Sequence, residues 1–293
     1  MQAFNSPYKV IDTRKYNTWC KYKTRIDTYG CGCQHDCGYC YAKALLNFRG
    51  LWDAKSPRVS YITEISERID MLPLNEVVRI GSMTDCFQPI ERYKEITYQT
   101  IKMLNRRGIH YLIVTKGGLV SDNKYVEIYD KNLAHFQITI TTTDNSRSVE
   151  YEKAKPTSER IKSIEKLHRL GFDVSVRLSP FIFQYVDFGM LNNIKCGKIL
   201  IEFLKVNHWV KKTFDIDYSP YVLKYGGHQN LPLEKKVELV NNVTGFDEVS
   251  IGEYVKDHHE YFSNEVNYNP EDCCNLRLME NCFRPEPVQM ELL

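Results

Sequence analysis

The chain has 293 residues, of which 43% are hydrophobic and 26% are charged, as is ordinary for a globular protein. Its 39 basic and 37 acidic residues give a formal net charge of +2, so composition indicates no extended nucleic-acid-binding or membrane-binding surface, although a local basic groove is compatible with it. No segment has the apolar length of a membrane span or a signal peptide, and we therefore expect a cytoplasmic protein with no membrane partner.

Short apolar runs alternate with helical patterns over much of the chain. After a strand expected around residues 24–29, β-branched or aliphatic runs recur at 76–81, 110–115, 136–141, 173–179 and 198–204. One helical pattern ends at Gly108 and has four residues on one face, Tyr93, Ile96, Ile101 and Leu104. Another begins with Thr157 or Ser158 as its N-cap and ends at Gly171.

Six strands separated by helices predict βαβ units with a parallel sheet. We therefore predict an α/β fold, a partial (β/α)6 TIM-like barrel with a C-terminal extension. Residues 1–215 are assigned to the barrel domain, and residues 216–293 to an extension that packs on the barrel. The extension contains a helical pattern at 231–243 and a short strand at 248–252.

The most distinctive segment, YGCGCQHDCGYCYAKALL, places four cysteines within ten positions. Cys33, Cys37 and Cys40 form the pattern C-x3-C-x2-C. In a reducing compartment such thiols are more often ligands or catalysts than disulfides. Three thiolates leave one iron of a 4Fe–4S cluster open to an exogenous ligand. A structural zinc site, completed by Cys31, His35 or a distant residue, is the alternative.

The segment CQHDCGYC, with Tyr39 at the aromatic position, resembles the radical S-adenosylmethionine (SAM) motif C-x3-C-x-aromatic-C. The stretches GSMTDCFQPIE, LIVTKGGL, KPTSERIKSIEKLHRLGF and VSVRLSPFI follow it in the order typical of the spore photoproduct lyase-like (DNA repair photolyase-type) group. The resemblance covers residues 29–204.

This resemblance implies that Cys33, Cys37 and Cys40 bind three irons of a 4Fe–4S cluster, and that SAM chelates the fourth. An electron from the cluster would cleave SAM and leave a 5′-deoxyadenosyl radical, which abstracts hydrogen from the substrate. A reductase or flavodoxin-type protein would donate the electron. Because a primary alkyl radical reacts with most groups, the resemblance also implies a closed, dry barrel interior.

Further candidate cofactor contacts lie at the ends of strands. The resemblance places the Tyr39 ring near the cluster and the adenine. The family's Gly-Gly-Glu-like stretch corresponds here to GSMTD, which lacks the glutamate, so Ser82, Thr84 and Asp85 are the candidate substitutes. Asp85 could instead cap the next helix.

Lys116 suits a salt bridge to the cofactor carboxylate, and a solvated loop lysine is the alternative. Thr141 and Thr143 end the fourth predicted strand, and Arg177 and Ser179 end the fifth, where contacts to ribose or substrate are expected. Arg177 could otherwise be an ordinary surface or ion-paired arginine.

Cys86 is the candidate catalytic residue, as a hydrogen donor, at a position where relatives commonly have proline. Spore photoproduct lyase proper has its donor cysteine nearer to the position of Ser82, which argues against assigning true spore photoproduct repair. A buried thiol is the alternative for Cys86. Cys273, Cys274 and Cys282 could form a second cluster, a redox pair or a late hydrogen donor.

The resemblance favours repair or modification of a nucleic-acid base, with DNA or RNA as the partner. The basic clusters KTR, NRR and WVKK and the 20 tyrosines give limited support. This hypothesis predicts salt-dependent nucleic-acid binding. A radical enzyme acting on a peptide or small metabolite is one alternative. A non-catalytic iron–sulfur or zinc sensor is another, and it predicts no turnover of SAM.

Overall fold

The computed structural model describes residues 20–278. The strands are β1 (Arg25–Ile26), β2 (Tyr29–Gly30), β3 (Arg58–Val59), β4 (Val77–Ile80), β5 (His110–Thr115), β6 (Ala134–Ile140), β7 (Asp173–Phe181), β8 (Lys198–Phe203), β9 (Leu223–Tyr225), β10 (His228–Asn230) and β11 (Glu248–Ile251). The helices are α1 (Tyr41–Asn47), α2 (Ile62–Asp70), α3 (Glu91–Lys94), α4 (Ile96–Arg107), α5 (Asn123–Val126), α6 (Asn145–Tyr151), α7 (Thr157–Arg169), α8 (Phe188–Asn192), α9 (His208–Thr213), α10 (Leu233–Asn241) and α11 (Lys256–Glu265). None of these helices has the length and apolarity needed to cross a membrane.

Seven parallel strands form the central sheet, in the order β1-β4-β5-β6-β7-β8-β11. The α/β class and the partial barrel are therefore confirmed, and the six predicted strands correspond to β1 and β4 to β8. The seventh strand, β11, comes from the segment assigned to the extension and pairs with β8. That segment thus contributes to the sheet, and the predicted boundary near residue 215 stays a prediction.

The two faces of the sheet differ in polarity, as β6 illustrates. Phe136, Ile138 and Ile140 belong to the core that the sheet shares with its helices. Because side chains alternate along a strand, His135, Gln137 and Thr139 between them face the barrel interior. The outer face is therefore a conventional apolar core, whereas the interior is lined with buried polar groups.

The first predicted helix is interrupted. Glu95, with a left-handed φ of 55°, separates α3 from α4. Ile96, Ile101 and Leu104 on α4 are buried, whereas Tyr93 on α3 is 79% exposed, so its predicted place on the same helical face is wrong. Gly108, with a φ of 66°, ends α4 as predicted.

The second predicted helix, α7, begins one residue after Pro156, which occupies the N-cap position without a side-chain hydrogen bond. The predicted capping by Thr157 or Ser158 is therefore wrong. Proline is tolerated at this end of a helix because the N–H group that it lacks would have no partner within the helix. Gly171 follows the helix with a φ of 83°, in agreement with the predicted stop.

A chain of buried polar groups runs along the amino ends of the strands. His110 Nδ1 lies 3.0 Å from His135 Nε2, and His135 Nδ1 lies 2.7 Å from the Asp173 carboxylate. Lys198 Nζ pairs with Asp173 at 2.7 Å and with Glu248 at 3.6 Å. In barrels this end supports stability, and the carboxyl ends of the strands carry the chemistry.

Two segments remote in sequence close the amino end of the barrel. The Tyr22 hydroxyl donates a hydrogen bond to Asp272, and Tyr22 packs with Cys274 inside the barrel. Lys198 Nζ donates to the carbonyl oxygen of Asn275 at 2.7 Å. We call residues 20–22 and 272–277 the barrel floor. The floor leaves the opposite end, where the cysteine loop lies, as the open mouth.

Candidate active site

The cysteine loop lies between β2 and α1, at the carboxyl end of the sheet strands. Cys33 and Cys37 are buried and Cys40 is partly buried, and all three are free thiols. Two tight turns shape the loop, because Asp36 N–H donates to Cys33 O at 3.1 Å and Cys40 N–H donates to Cys37 O at 3.2 Å. Two successive backbone turns therefore define the path of the chain that bears the three cysteines.

The chemistry of this donor set fits a 4Fe–4S cluster. Burial raises the pKa of Cys33 to about 12 and also raises the pKa of Cys37 and Cys40, so a bound cation is what would favour their thiolates. Cys40 is the N-cap of α1, where Lys43 N–H donates to its sulfur at 3.4 Å. Within residues 20–278, no three His, Cys, Asp or Glu side chains are grouped so as to hold a metal ion. In a 4Fe–4S cluster each cysteine binds a different iron, so the three sulfur atoms do not have to surround a single metal ion.

Glu152 lies directly behind the loop and was not singled out from the sequence. Its carboxylate accepts hydrogen bonds from the Tyr39 hydroxyl at 2.5 Å and the Thr141 hydroxyl at 3.2 Å, and pairs with Arg160 at 2.5 Å. The Cys37 sulfur lies 3.8 Å away. Burial alone would raise the pKa of Glu152, but Arg160 outweighs it and lowers that pKa. Tyr39 and Thr141 are thus brought together beside the loop, with their hydroxyl groups bonded to Glu152.

Asp27, also missed, organises the GSMTD segment. Its carboxylate accepts hydrogen bonds from the N–H groups of Ser82 at 2.7 Å and Met83 at 3.0 Å, and the N–H of Thr84 lies 3.4 Å away. The Thr84 hydroxyl donates to the carbonyl oxygen of Tyr29 at 2.5 Å. The segment is therefore held against β1 and β2, and the side chain of Thr84 is used in that attachment.

Asp85 ties the same segment to the end of β5. Its carboxylate accepts hydrogen bonds from the Thr115 hydroxyl at 2.6 Å, Lys116 N–H at 2.6 Å and Phe87 N–H at 2.8 Å. Burial alone would raise the pKa of Asp85, but His35 and these hydrogen bonds outweigh it and lower the pKa to about 2. Asp85 therefore does not cap a helix, and cofactor contact by Asp85 stays a prediction.

Lys116 extends toward the cysteine loop. Its Nζ lies 5.6 Å from the centroid of the Tyr39 ring, and its charge acts on the thiols of Cys37 and Cys40. Within residues 20–278 its ammonium group has no carboxylate partner within 4.0 Å. The position suits the predicted salt bridge to a cofactor carboxylate.

The geometry agrees with a family comparison. The family model of the Radical SAM superfamily matches residues 28–186, more than half of the chain. The chain belongs to the radical SAM superfamily. It is therefore an enzyme of that superfamily, with its reaction unspecified.

Solved structures share the fold of this radical SAM protein. A double mutant of spore photoproduct lyase with bound AdoMet and dinucleoside spore photoproduct superposes with a TM-score of 0.58 at 14% identity, covering 80% of this chain and 78% of that one. Streptococcus suis SuiB bound to precursor peptide SuiA gives a TM-score of 0.55 at 12% identity, covering 84% of this chain and 53% of that one. An uncharacterized protein of Methanocaldococcus jannaschii is 25% identical over 164 residues, which are 53% of this chain and 60% of that protein.

Within this radical SAM barrel, Arg177 and Ser179 share one partner. Arg177 donates to Gln137 Oε1 at 2.5 Å and forms an ion pair with Glu202, and the Ser179 hydroxyl donates to Glu202 at 2.6 Å. Burial alone would raise the pKa of Glu202, but Arg177 and Ser179 outweigh it and lower the pKa to about 2. The ion-paired alternative for Arg177 is observed, and contact with cofactor or substrate by either residue stays a prediction.

The remaining cysteines fall in two places. Cys86 is 1% exposed and lies in the core between the sheet and its helices, so its role as a hydrogen donor to a substrate in the barrel stays a prediction. Cys273 and Cys274 lie at the barrel floor, together with Cys20. Cys282 is outside the described residues.

Proposed function

We propose that this radical SAM enzyme binds a 4Fe–4S cluster through Cys33, Cys37 and Cys40 and uses SAM to repair or modify a nucleic-acid base. The observation that carries the proposal is the loop of three free thiols, shaped by backbone turns at the carboxyl end of the sheet, inside the region that matches the family. When bound, the reduced cluster would supply one electron that cleaves SAM to methionine and a 5′-deoxyadenosyl radical. We infer a reductase or flavodoxin-type protein as the electron donor.

The residues around the loop would position these groups. Glu152 holds Tyr39 and Thr141 in place behind the thiols. Asp85 fixes the backbone of Lys116, whose ammonium group would bind the carboxylate of SAM. Asp27 would hold the GSMTD segment beside the same cofactor. Because these carboxylates are buried and satisfied by protein donors, they would keep their geometry when water leaves the barrel.

A nucleic-acid substrate is supported by an aromatic surface at the mouth of the barrel. Phe48 at the end of α1 and Trp209 on α9 are 78% and 41% exposed, and their ring centroids lie 6.4 Å apart. We call these two residues the aromatic rim. Lys211 and Lys212 are exposed on α9, and Lys212 Nζ lies 5.9 Å from the Trp209 ring. Exposed rings with adjacent lysines suit unstacked bases and their phosphates.

Two further observations bear on the substrate. The α9 helix is fastened to the cysteine loop, because the Thr213 hydroxyl donates to Gly38 O at 2.6 Å, so a base stacked on the aromatic rim would lie beside the cluster. One solved structure with this fold contains a dinucleoside lesion, and another contains a precursor peptide. A peptide substrate is therefore the alternative to nucleic acid that the second experiment below tests.

The first experiment measures 5′-deoxyadenosine under anaerobic conditions. The protein is reconstituted with iron and sulfide, reduced with dithionite and given SAM. Cys37→Ala is expected to abolish the product, whereas Cys31→Ala, which removes a neighbouring free thiol outside the proposed ligand set, is expected to retain it. An assembled cluster that forms no 5′-deoxyadenosine, or equal activity in both variants, would contradict the proposed chemistry.

The second experiment identifies the substrate class. Single-stranded DNA or RNA is expected to accelerate 5′-deoxyadenosine formation and to bind with an affinity that falls as salt concentration rises. Acceleration by peptides alone, with no binding of nucleic acid, would replace the nucleic-acid part of the proposal with a peptide substrate.

A further inference from the structure

Two arginines lie side by side inside the barrel. Arg25 on β1 and Arg79 on β4 are register partners on adjacent parallel strands. The residues that follow them, Ile26 and Ile80, are fully buried in the outer core. Because side chains alternate along strands, both guanidinium groups extend from the opposite face, into the interior.

Neither arginine forms an ion pair within 4.0 Å among residues 20–278. The Nε atoms of Arg25 and Arg79 are buried without a hydrogen-bond partner. Arg25 makes one long hydrogen bond, from Nη1 to the Ser82 hydroxyl at 3.4 Å, and the Arg79 side chain makes neither a hydrogen bond nor an ion pair to the described residues. Arg177, by contrast, is satisfied on the same inner face by Gln137 and Glu202.

The neighbours favour the charge of Arg79 but do not occupy its donors. Burial alone would lower the pKa of Arg79, but the side chains of Cys20 and Glu202 outweigh it and raise that pKa. The Glu202 oxygens are already bonded to Arg177 and Ser179. Two guanidinium groups therefore face the barrel interior with donors that no described carboxylate accepts.

The like charges also act against each other. Burial and the neighbouring charge of Arg79 lower the pKa of Arg25. Asp27, the carboxylate near Arg25, is occupied by backbone N–H groups of the GSMTD segment. Two adjacent, partly buried cations repel each other, and a bound anion would relieve that repulsion.

We propose that Arg25 and Arg79 bind a phosphate group of the nucleic-acid substrate inside the barrel. This deepens the proposed function and rests on it. Guanidinium groups present paired donors that match phosphate oxygens. Tyr41, which is exposed and donates from its hydroxyl to Ser82 O at 3.2 Å, borders the same space directly after the cysteine loop. Lys116 lies at the loop itself, so the cofactor carboxylate and the substrate phosphate have separate cations.

The test measures binding of a fluorescent single-stranded thymidine oligonucleotide to the reconstituted enzyme with SAM present. Arg25→Gln and Arg79→Gln are each expected to weaken binding about tenfold, the effect of about 1.4 kcal/mol. Arg169→Gln, at the exposed last residue of α7, is the matched control and is expected to bind as the unaltered enzyme does. The dissociation constant for SAM is expected to stay unchanged in all three variants.

Stability supplies an independent readout. Added inorganic phosphate is expected to raise the melting temperature of the unaltered enzyme and to have less effect on Arg79→Gln. If the glutamine variants do not fold, Arg25→Lys and Arg79→Lys, which keep the charge and lose the paired donors, are expected to fold and to bind the oligonucleotide more weakly.

Each failure has its own signature. Oligonucleotide binding that is equal in the unaltered enzyme and the arginine variants would overturn the phosphate site and leave the proposed function standing. Loss of SAM affinity in the variants would overturn it by assigning the pair to the cofactor carboxylate. No oligonucleotide binding by the unaltered enzyme, with 5′-deoxyadenosine still formed, would overturn both the phosphate site and the nucleic-acid part of the proposed function.

Discussion

Replacing Glu152 with glutamine tests the buried ion pair that supports the cysteine loop. Glu152 and Arg160 are 2% and 1% exposed, and the substitution removes one charge and leaves the other buried. Breaking such a pair costs about 3–5 kcal/mol. Glutamine retains an acceptor for Tyr39 or Arg160, so the lower end, about 3 kcal/mol, is expected. At about 2–4 °C per kcal/mol for a domain of this class, the melting temperature is expected to fall by about 6–12 °C.

The assay is thermal unfolding of the metal-free protein, followed by circular dichroism, so that cluster binding does not contribute to stability. The matched control is Glu150→Gln, two residues earlier. Glu150 pairs with Arg147 at 3.0 Å, but the two side chains are 56% and 49% exposed. An exposed pair of this kind contributes at most about 1 kcal/mol.

A double variant separates the lost pair from the stranded charge. Combining Glu152→Gln with Arg160→Met removes both charges and is expected to recover part of the lost stability, because no unpaired ion remains buried. Equal melting temperatures for Glu152→Gln and Glu150→Gln would refute the reasoning. A double variant less stable than Glu152→Gln alone would also refute it.

Three further outcomes are expected. In urea unfolding, Gly81→Ala is expected to destabilise the protein by at least about 2 kcal/mol more than Gly108→Ala. Both glycines have left-handed φ values, but only a Cβ at Gly81 would meet a backbone oxygen, at 2.6 Å. Equal losses of stability in the two variants would contradict this. Trp209→Ala is expected to weaken single-stranded DNA binding by about 1–3 kcal/mol, measured by fluorescence anisotropy, whereas Tyr268→Ala, at an exposed ring just before the barrel-floor segment, is not. Burial and a neighbouring imidazole lower the pKa of His110 to about 4, below the unfolded value of about 6.5, so the native state resists protonation and stability falls as pH is lowered through this window. His110→Gln is expected to flatten that part of the stability profile, and an unchanged slope would place the proton uptake elsewhere.

Local hydrophobic patterns predicted most strands of the central sheet. Buried strands are continuous apolar runs, and each run from residue 76 to residue 204 became a strand of the sheet. The cysteine motif could also be identified from the sequence, because it is defined by the spacing of three cysteines within eight residues. The break at Glu95 could not be predicted, because a left-handed backbone at a glutamate depends on tertiary packing and does not change the hydrophobic periodicity of α3 and α4.

The residues that were missed depend on partners that sequence does not pair. Asp27 is 55 to 57 residues from the N–H groups that it binds. Glu152 looks like a surface residue of an ordinary polar helix until Arg160 is placed against it. The role of β11 as a seventh strand likewise required knowledge of its pairing with β8, although its strand character was predicted.

The two segments of the barrel floor determine when, during synthesis of the chain, the amino end of the barrel can close. Residues 20–22 leave the ribosome early, whereas their partner segment, residues 272–277, follows about 250 positions later. Until then a nascent chain can complete the outer apolar core but cannot form the contacts that close the amino end of the barrel. Closure of the chamber therefore comes after the synthesis of β11, the last strand of the sheet.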